Sequence, residues 1–302
     1  MTREVVAPDF PEVFEAYRPL MLSIAYRMLG SVADAEDVVQ DAYVRCHATA
    51  PEAIRSPRAF LTTVVTRLCL NQLESARARR ETYIGPWLPE PLATEGRDPA
   101  SLPALSPVAG QRAEAHESIS LAFLVLLEQL TPAERAVFLL REVFDYEYAE
   151  IAAILGKEEA ACRQLLSRAR KHVTERRPRF SPSPEHHRRL LQQFMLVVSG
   201  GELEGLVQLL SEDVTMWVDG GGKVRGAATR VLHGRMATAQ FLLASTRFLP
   251  RDARAEIAEV NGQPAMVLRV GRRAELLIAL GSESDRVREI RVIANPEKLR
   301  WV

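Results

Sequence analysis

The sequence predicts a multidomain protein with two all-α units, a helical bundle and a helix-turn-helix, followed by an α+β domain with a curved antiparallel sheet. Three observations carry this. Apolar residues recur at helical spacing from Phe10 to Leu73 and again from Ser118 to Val173. Between those stretches the pattern stops and proline recurs at 86, 89, 91, 99, 103 and 107. After Glu185 the period shortens, and alternating runs are punctuated by Asn261-Gly262 and Gly271, as in strands joined by hairpins. The expected boundaries are 1–80 for the bundle, 81–112 for a Pro-rich linker and 113–176 for the helix-turn-helix domain. A second linker, 177–184, precedes the α+β domain at 185–302.

The chain has 302 residues, 47% hydrophobic and 26% charged, which suits a soluble protein of two or three domains. Thirty-nine basic residues balance 39 acidic ones, so the whole molecule lacks the charge for indiscriminate nucleic-acid binding. The basic residues are clustered, however, and any DNA binding must be conditional or assisted. No apolar run approaches the ~20 residues of a membrane span, and Met1 to Glu12 lacks the basic and apolar regions of a signal peptide. A cytoplasmic protein without a membrane partner is expected. Cys46, Cys69 and Cys162 are far apart on apolar stripes, so they are expected as buried thiols rather than disulfides or metal ligands.

In chain order, the first predicted helix carries Phe14, Tyr17, Met21, Ile24 and Met28 on one stripe and ends at Gly30. The second starts at Ser31 and buries Ala35, Val38, Val39, Ala42 and Cys46. Its outer face holds Asp34, Asp37 and Asp41, a negative ridge that is either an ordinary solvated surface or a dock for a basic partner. After a loop, Pro57 opens a long helix. Arg67 and Asn71 lie four apart on it, and Arg77, Arg79 and Arg80 crowd its end. A basic helix end complements the macrodipole or contacts nucleic acid. The linker begins unusually, because Tyr83, Trp87 and Leu88 in YIGPWLPEP give a solvated tether aromatic and apolar groups it does not need. A docking strip is the expectation.

Thr131-Pro132-Ala133-Glu134 is a capping box with proline at the first helical position. The stretch Tyr148 to Val173 then reads as two helices around Gly156, whose turn needs positive φ. Ile151 and Leu155 face inward before it, and Cys162, Leu166, Ala169 and Val173 after it. Arg163, Gln164, Ser167, Arg168 and Lys171 share the opposite face, which can donate to base edges and phosphates in a major groove. A solvated basic face is the alternative. In the last domain, helices precede Val214 to Val218 and the Asp219-Gly220-Gly221-Gly222-Lys223 turn, which lacks the remainder of a phosphate-binding P-loop. Among Asp213, Asp219, His186, His187 and His233 no acid-base pair or metal-ligand spacing is recognisable, so no catalytic residues, metal or cofactor are expected.

Three separated stretches together resemble the extracytoplasmic-function (ECF) sigma factors of bacterial RNA polymerase: AYRMLGSVADAEDVVQDAYVR (region 2.2), PRAFLTTVVTRLCLNQLESARARR (regions 2.3 and 2.4) and LTPAERAVFLLREVFDYEYAEIAAILGKEEAACRQLLSRARK (region 4). YIGPWLPEP, DGGGK at 219–223 and NPEKL at 295–299 resemble the signature of the subgroup with a fused SnoaL-like C-terminal domain. The chain departs from the family at Glu147, where Ser or Thr usually caps a helix, and at Lys157-Glu158, before the recognition helix.

The resemblance implies that Asp34, Asp37 and Asp41 meet the β and β′ subunits of core polymerase. Arg67 and Asn71 would meet the −10 element, and Arg163, Gln164, Arg168 and Lys171 the −35 element, while Arg77, Arg79, Arg80 and Ser167 are expected from their basic or polar faces to contact DNA beside them. It also implies a regulatory contact between Tyr83, Trp87 and Leu88 and the residues Asp219 to Lys223, Asn295 and Pro296. The free protein is expected to be a monomer, and a small-molecule ligand in the C-terminal domain is left open. Two rival classes remain: a ligand-responsive helix-turn-helix repressor, and a SnoaL-like enzyme with a DNA-binding appendage.

Overall fold

A computed structural model describes residues 10–47, 54, 56–94, 119–176, 183–283 and 285–302; side chains at 76–81, 175–176 and 184 are not described. Most of the loop between His47 and Pro57, the second half of the Pro-rich linker and most of the second linker therefore lie outside the described residues. Two compact units result. One comprises residues 1–76, 97–119 and 127–175; the other comprises 77–96, 120–126 and 176–302.

In the first unit, α1 (Phe10–Leu29), α2 (Val32–His47) and α3 (Pro57–Glu81) form the first set of helices. Helix α1 ends because Gly30 takes φ 69°, and α2 starts because the Ser31 hydroxyl accepts from the Asp34 amide at 3.1 Å. Ala35, Val38, Val39, Ala42 and Cys46 are buried, as their spacing requires. The short helix α4 (Leu121–Leu127), nearly all of which belongs to the second unit, precedes α5 (Pro132–Phe138), which has the expected box: the Glu134 amide donates to Thr131 Oγ1 and the Thr131 amide to Glu134 Oε2. The chain continues through a π turn, Leu139–Val143, into α6 (Tyr148–Leu155) and α7 (Glu159–Arg176). Gly156 adopts φ 63° between them, and Cys162, Leu166, Ala169 and Val173 are buried. On α6 the buried partner of Ile151 is Ile154, while Leu155 is only half-buried. The Glu147 substitution is accommodated because the Glu150 carboxylate accepts from the Glu147 amide at 2.9 Å. All three cysteines are free and buried.

The second unit contains α8 (Pro184–Gly200), α9 (Leu203–Leu209), β1 (Leu210–Asp219), β2 (Leu232–His233), α10 (Arg235–Ser245) and the strands β3 (Arg254–Val260), β4 (Gln263–Val270), β5 (Arg273–Glu283) and β6 (Arg286–Ile293). The strand order is β2-β1-β6-β5-β4-β3. From β3 to β6 the pairing is the expected antiparallel meander, with Asn261 and Gly262 at φ 53° and 72° in its first hairpin. The sheet is nevertheless mixed, because β1 lies parallel to β6, with Met216 opposite Ile290 and Val218 opposite Val292. Helical and loop connections between β1 and β3 return the chain to the far edge, which a pure meander does not require.

Period-2 alternation gives the sheet two apolar faces. Val214, Met216, Val218, Met266, Ile278 and Val292 point to one, against Leu191 and Phe194 of α8 and Leu242 of α10. Ala265, Val267, Leu277 and Ile293 point to the other, where Leu88, Leu121 and Leu299 cover them. The beginning of the Pro-rich linker is thus part of this domain's core. No helix among the described residues is long and apolar enough to cross a membrane.

Candidate nucleic-acid interface and regulatory clasp

On α7 the side chains of Arg163, Gln164, Ser167, Arg168 and Lys171 are all exposed, opposite the buried stripe. Arg163 pairs with Glu159 at 2.6 Å and lies 4.9 Å from the Tyr148 ring centroid. Arg168 pairs with Glu134 at 3.4 Å. Both guanidiniums are more than half exposed, so these pairs are worth at most ~1 kcal/mol and can be exchanged for phosphate. The acids Asp37 and Asp41 are exposed and Asp34 is half-buried; none makes an ion pair among the described residues. The side chains of Arg77, Arg79 and Arg80 fall outside the described residues.

Arg67 and Asn71 are exposed on α3, but Arg67 is engaged in a way its spacing does not reveal. Its Nε donates to the Ile154 carbonyl at 3.0 Å and a terminal nitrogen to the Ala153 carbonyl at 3.4 Å. These are carbonyls at the C-terminus of α6, where helix geometry leaves acceptors without an intrahelical donor. Further contacts bind the same two groups of helices. Thr62 Oγ1 and the buried Tyr146 hydroxyl are 2.7 Å apart, Arg58 donates to the Phe144 carbonyl at 3.4 Å and stacks 4.7 Å over Tyr146, and Arg135 donates to the Met28 carbonyl at 2.6 Å. The buried Arg27 faces the Phe144 ring at 5.6 Å, and its pKa falls to about 9 through burial. The π turn before Asp145, which has φ 55°, presents Phe144 and Tyr146 to these partners.

The second arrangement centres on Asp219, at the end of β1 and fully buried. Its carboxylate accepts from the Tyr83 hydroxyl at 2.5 Å, the Leu88 amide at 2.8 Å and Lys298 Nζ at 2.7 Å. Its carbonyl accepts from the Ala294 and Asn295 amides, which fixes the segment after β6 beside it. Lys298 also donates to the Leu88 carbonyl at 2.5 Å and lies 4.1 Å from the Trp87 ring centroid. Asn295 Nδ2 donates to the Tyr83 hydroxyl at 3.0 Å. Burial first, then Asp219, holds the Tyr83 hydroxyl well above the usual tyrosine pKa. At Gly221 (φ 57°) a Cβ would come within 2.4 Å of Asn295 Nδ2, so the glycine-rich turn is a close approach of backbone to partner. Lys223 pairs with Glu297. Farther along, the Leu92 amide donates to Asn261 Oδ1 at 2.9 Å, the Asn261 amide to the Leu92 carbonyl at 2.8 Å and the Thr94 amide to the Glu259 carbonyl at 2.9 Å.

Sequence reasoning grouped Tyr83, Trp87, Leu88, the 219–223 turn and Asn295, and the structure brings Tyr83, Leu88, Asp219, Gly221 and Asn295 together directly. It missed Lys298, which sits inside the quoted NPEKL motif but reads as an ordinary solvated lysine. It also missed Asn261 as a linker contact, since Asn-Gly is fully explained by the hairpin. The other acids and histidines of this unit do not form a constellation with Asp219. Asp213 pairs with Arg288 at 2.8 Å, His186 with Asp285 at 3.6 Å, and His233 Nδ1 lies 3.3 Å from Thr215 Oγ1. No group of His, Cys, Asp or Glu among the described residues could hold a metal ion.

A tri-helical acid-faced module, a helix-turn-helix with an exposed basic face and a fused α+β domain define a promoter-directed transcription protein. Residues 13–79 match the Sigma-70 region 2 family and residues 120–173 the Sigma-70 region 4 family. The chain is 42% identical over 253 residues to the ECF RNA polymerase sigma factor SigJ of Mycobacterium tuberculosis, covering 83% of this chain and 78% of that one. It is 32% identical over 287 residues to the probable ECF sigma factor SigI of the same species, covering 95% and 93%. A crystal structure of the M. tuberculosis SigJ superposes with a TM-score of 0.72 at 36% identity, covering 95% of this chain and 97% of that one. The chain belongs to the ECF RNA polymerase sigma factors, which bind core polymerase and direct it to promoters.

Proposed function

We propose that this sigma factor is regulated from within, by the clasp that Asp219 and Lys298 form on the linker strip. The observation that carries the reading is the burial of a charged pair against the backbone of Leu88: a solvated tether would leave both groups in water, whereas here each also bonds the strip. The strip joins the two promoter-reading modules in sequence, so whatever anchors it limits how far apart they can reach. Arg163, Gln164, Ser167, Arg168 and Lys171 read the −35 element as duplex; Arg67 and Asn71, with the arginines at 77, 79 and 80, read the −10 element as opened strand. Asp34, Asp37 and Asp41 dock on the β and β′ subunits. The chain acts by binding rather than catalysis.

Arg67 adds a second level. While it donates to the carbonyls of Ala153 and Ile154 it is withheld from DNA, so the arrangement of the first unit is a closed one that promoter engagement must open. The test is run-off transcription with purified core polymerase and a matched promoter, comparing the full chain with Asp219→Ala and Lys298→Met. Altered output with unchanged core binding supports the clasp as a regulator. Equal output from all three proteins removes it.

A further inference from the structure

The C-terminal domain holds a cavity of about 490 Å³, within the range of small-molecule sites. Its floor is the sheet face formed by Val218, Met266, Ile278 and Val292, and Phe241 and Leu242 of α10 close one side. The loop from Lys223 to Ala227 crosses it. Gly226, at φ 86°, lies so close to Phe248 that a Cβ there would come within 2.4 Å of ring carbon Cδ2. Phe248 and Leu249 at this cavity are 42% and 37% exposed, leaving apolar surface in water.

The polar groups around the cavity discriminate among ligands. Ser245 and Thr246 turn their hydroxyls back to the carbonyls of Leu242 and Leu243. Lys223 is paired with Glu297, and Arg273 with Glu275 at 3.4 Å. Arg225 alone among these charges has no ion-pair or hydrogen-bond partner among the described residues. We infer that the cavity binds an apolar small molecule carrying one anionic head, such as a medium-chain carboxylate, with Arg225 as its counter-charge. Position also links this site to the clasp. One loop supplies Gly221, packed against Asn295 and the Tyr83 hydroxyl, and a few residues later Val224, Gly226 and Ala227 at the cavity. A ligand that shifts that loop shifts the strip, a consequence that rests on the regulatory reading above, whereas the binding site itself does not.

The experiment is equilibrium dialysis of the full-length chain with dodecanoate below its micellar concentration, with dodecanol and dodecyltrimethylammonium as neutral and cationic controls. Saturable binding is expected in the order carboxylate, alcohol, cation. Arg225→Ala, at an exposed position, should weaken dodecanoate about tenfold or more and leave dodecanol unchanged, because a charge-assisted contact to the head group is lost. Val224→Trp, which fills the cavity, should abolish both, with circular dichroism reporting that the fold is kept; if that variant does not fold, Arg225→Ala decides. Equal binding of the carboxylate and the cation, or of dodecanoate to wild type and Arg225→Ala, overturns the site. Hydrogen exchange at residues 83–94 with and without bound dodecanoate reads the coupling: a change supports it, and no change despite saturation overturns the coupling alone.

Discussion

Replacing Asp219 with alanine should free the linker strip without unfolding the sheet beneath it. The substitution removes the acceptor for the Tyr83 hydroxyl and the Leu88 amide, and takes the Asp219 carboxylate away from the ammonium of Lys298, whose side chain is only 8% exposed. Breaking one partner of a buried pair costs about 3–5 kcal/mol. Some of this is recovered, because Lys298 keeps the Leu88 carbonyl and the Trp87 ring face, the latter worth ~1–2 kcal/mol when desolvated. The bonds from Ala294 and Asn295 go to the Asp219 backbone and survive, so the loss falls on the strip. A net cost of ~3 kcal/mol corresponds to roughly 100-fold faster opening. Hydrogen exchange resolved to residues 83–94 measures it, with β4 and β5 as the internal reference. Asp219→Ala combined with Lys298→Met should exchange more slowly than Asp219→Ala alone, because the buried ammonium that lost the Asp219 carboxylate is gone. Exchange in the strip within about threefold of wild type, or a double variant no slower than the single one, would refute the clasp.

Further outcomes follow from the same contacts. Arg168→Ala removes an exposed guanidinium 3.4 Å from the buried Glu134, whose carboxylate keeps its bonds from Thr131, so thermal stability should change by about 1 kcal/mol while promoter-dependent initiation falls and core affinity in gel filtration holds; an equal fall in core affinity would misplace the recognition helix. Arg67→Ala should lower permanganate reactivity of the −10 strand at least about tenfold, since a lost charged contact is worth ~1.5–3 kcal/mol, and wild-type reactivity would remove Arg67 from strand recognition. Gly221→Ala should destabilise the second unit by about 1–2 kcal/mol, read as a lower melting temperature, because an L side chain there is left-handed and meets Asn295. His187 is buried and its Nε2 has no hydrogen-bond partner among the described residues; burial, then His186, depresses its pKa from 6.5. The unfolded state then binds the proton more readily, and the second unit should lose stability as pH falls below about 6.5, a loss that His187→Phe removes in pH-dependent urea melts.

How much of this was legible depended on whether a contact leaves a local trace. The helices of the first unit were readable because burial at Ala35, Val38, Val39, Cys162 and Ala169 repeats with the turn of the helix, and Gly30, Thr131 and Gly156 mark its ends chemically. The strip was readable because Tyr83 and Trp87 are anomalous in a proline-rich tether. Lys298 left no trace, since its partners Asp219 and Leu88 are 79 and 210 residues away and nothing in Pro-Glu-Lys-Leu distinguishes a buried lysine from a wet one. The parallel β1–β6 pairing was equally invisible, because period-2 alternation fixes which face a residue takes but not the direction of its neighbour.

Arg67 exposes a deeper limit. Its spacing from Asn71 indicated a nucleic-acid contact, and its geometry shows a protein contact with α6, 87 residues away. Both can hold for one side chain because backbone carbonyls and phosphate or base oxygens ask the same thing of a guanidinium. The two kinds of restraint then differ in how easily they yield. Arg67, Arg163 and Arg168 are held at the surface by bonds that water or DNA can replace at little cost, whereas Asp219 and Lys298 are held where replacement would bury a bare charge. On the reading proposed above, promoter DNA on core polymerase would unlatch the first unit by direct competition. On the same reading the strip would respond only to something that moves its own domain, and a signal would enter there.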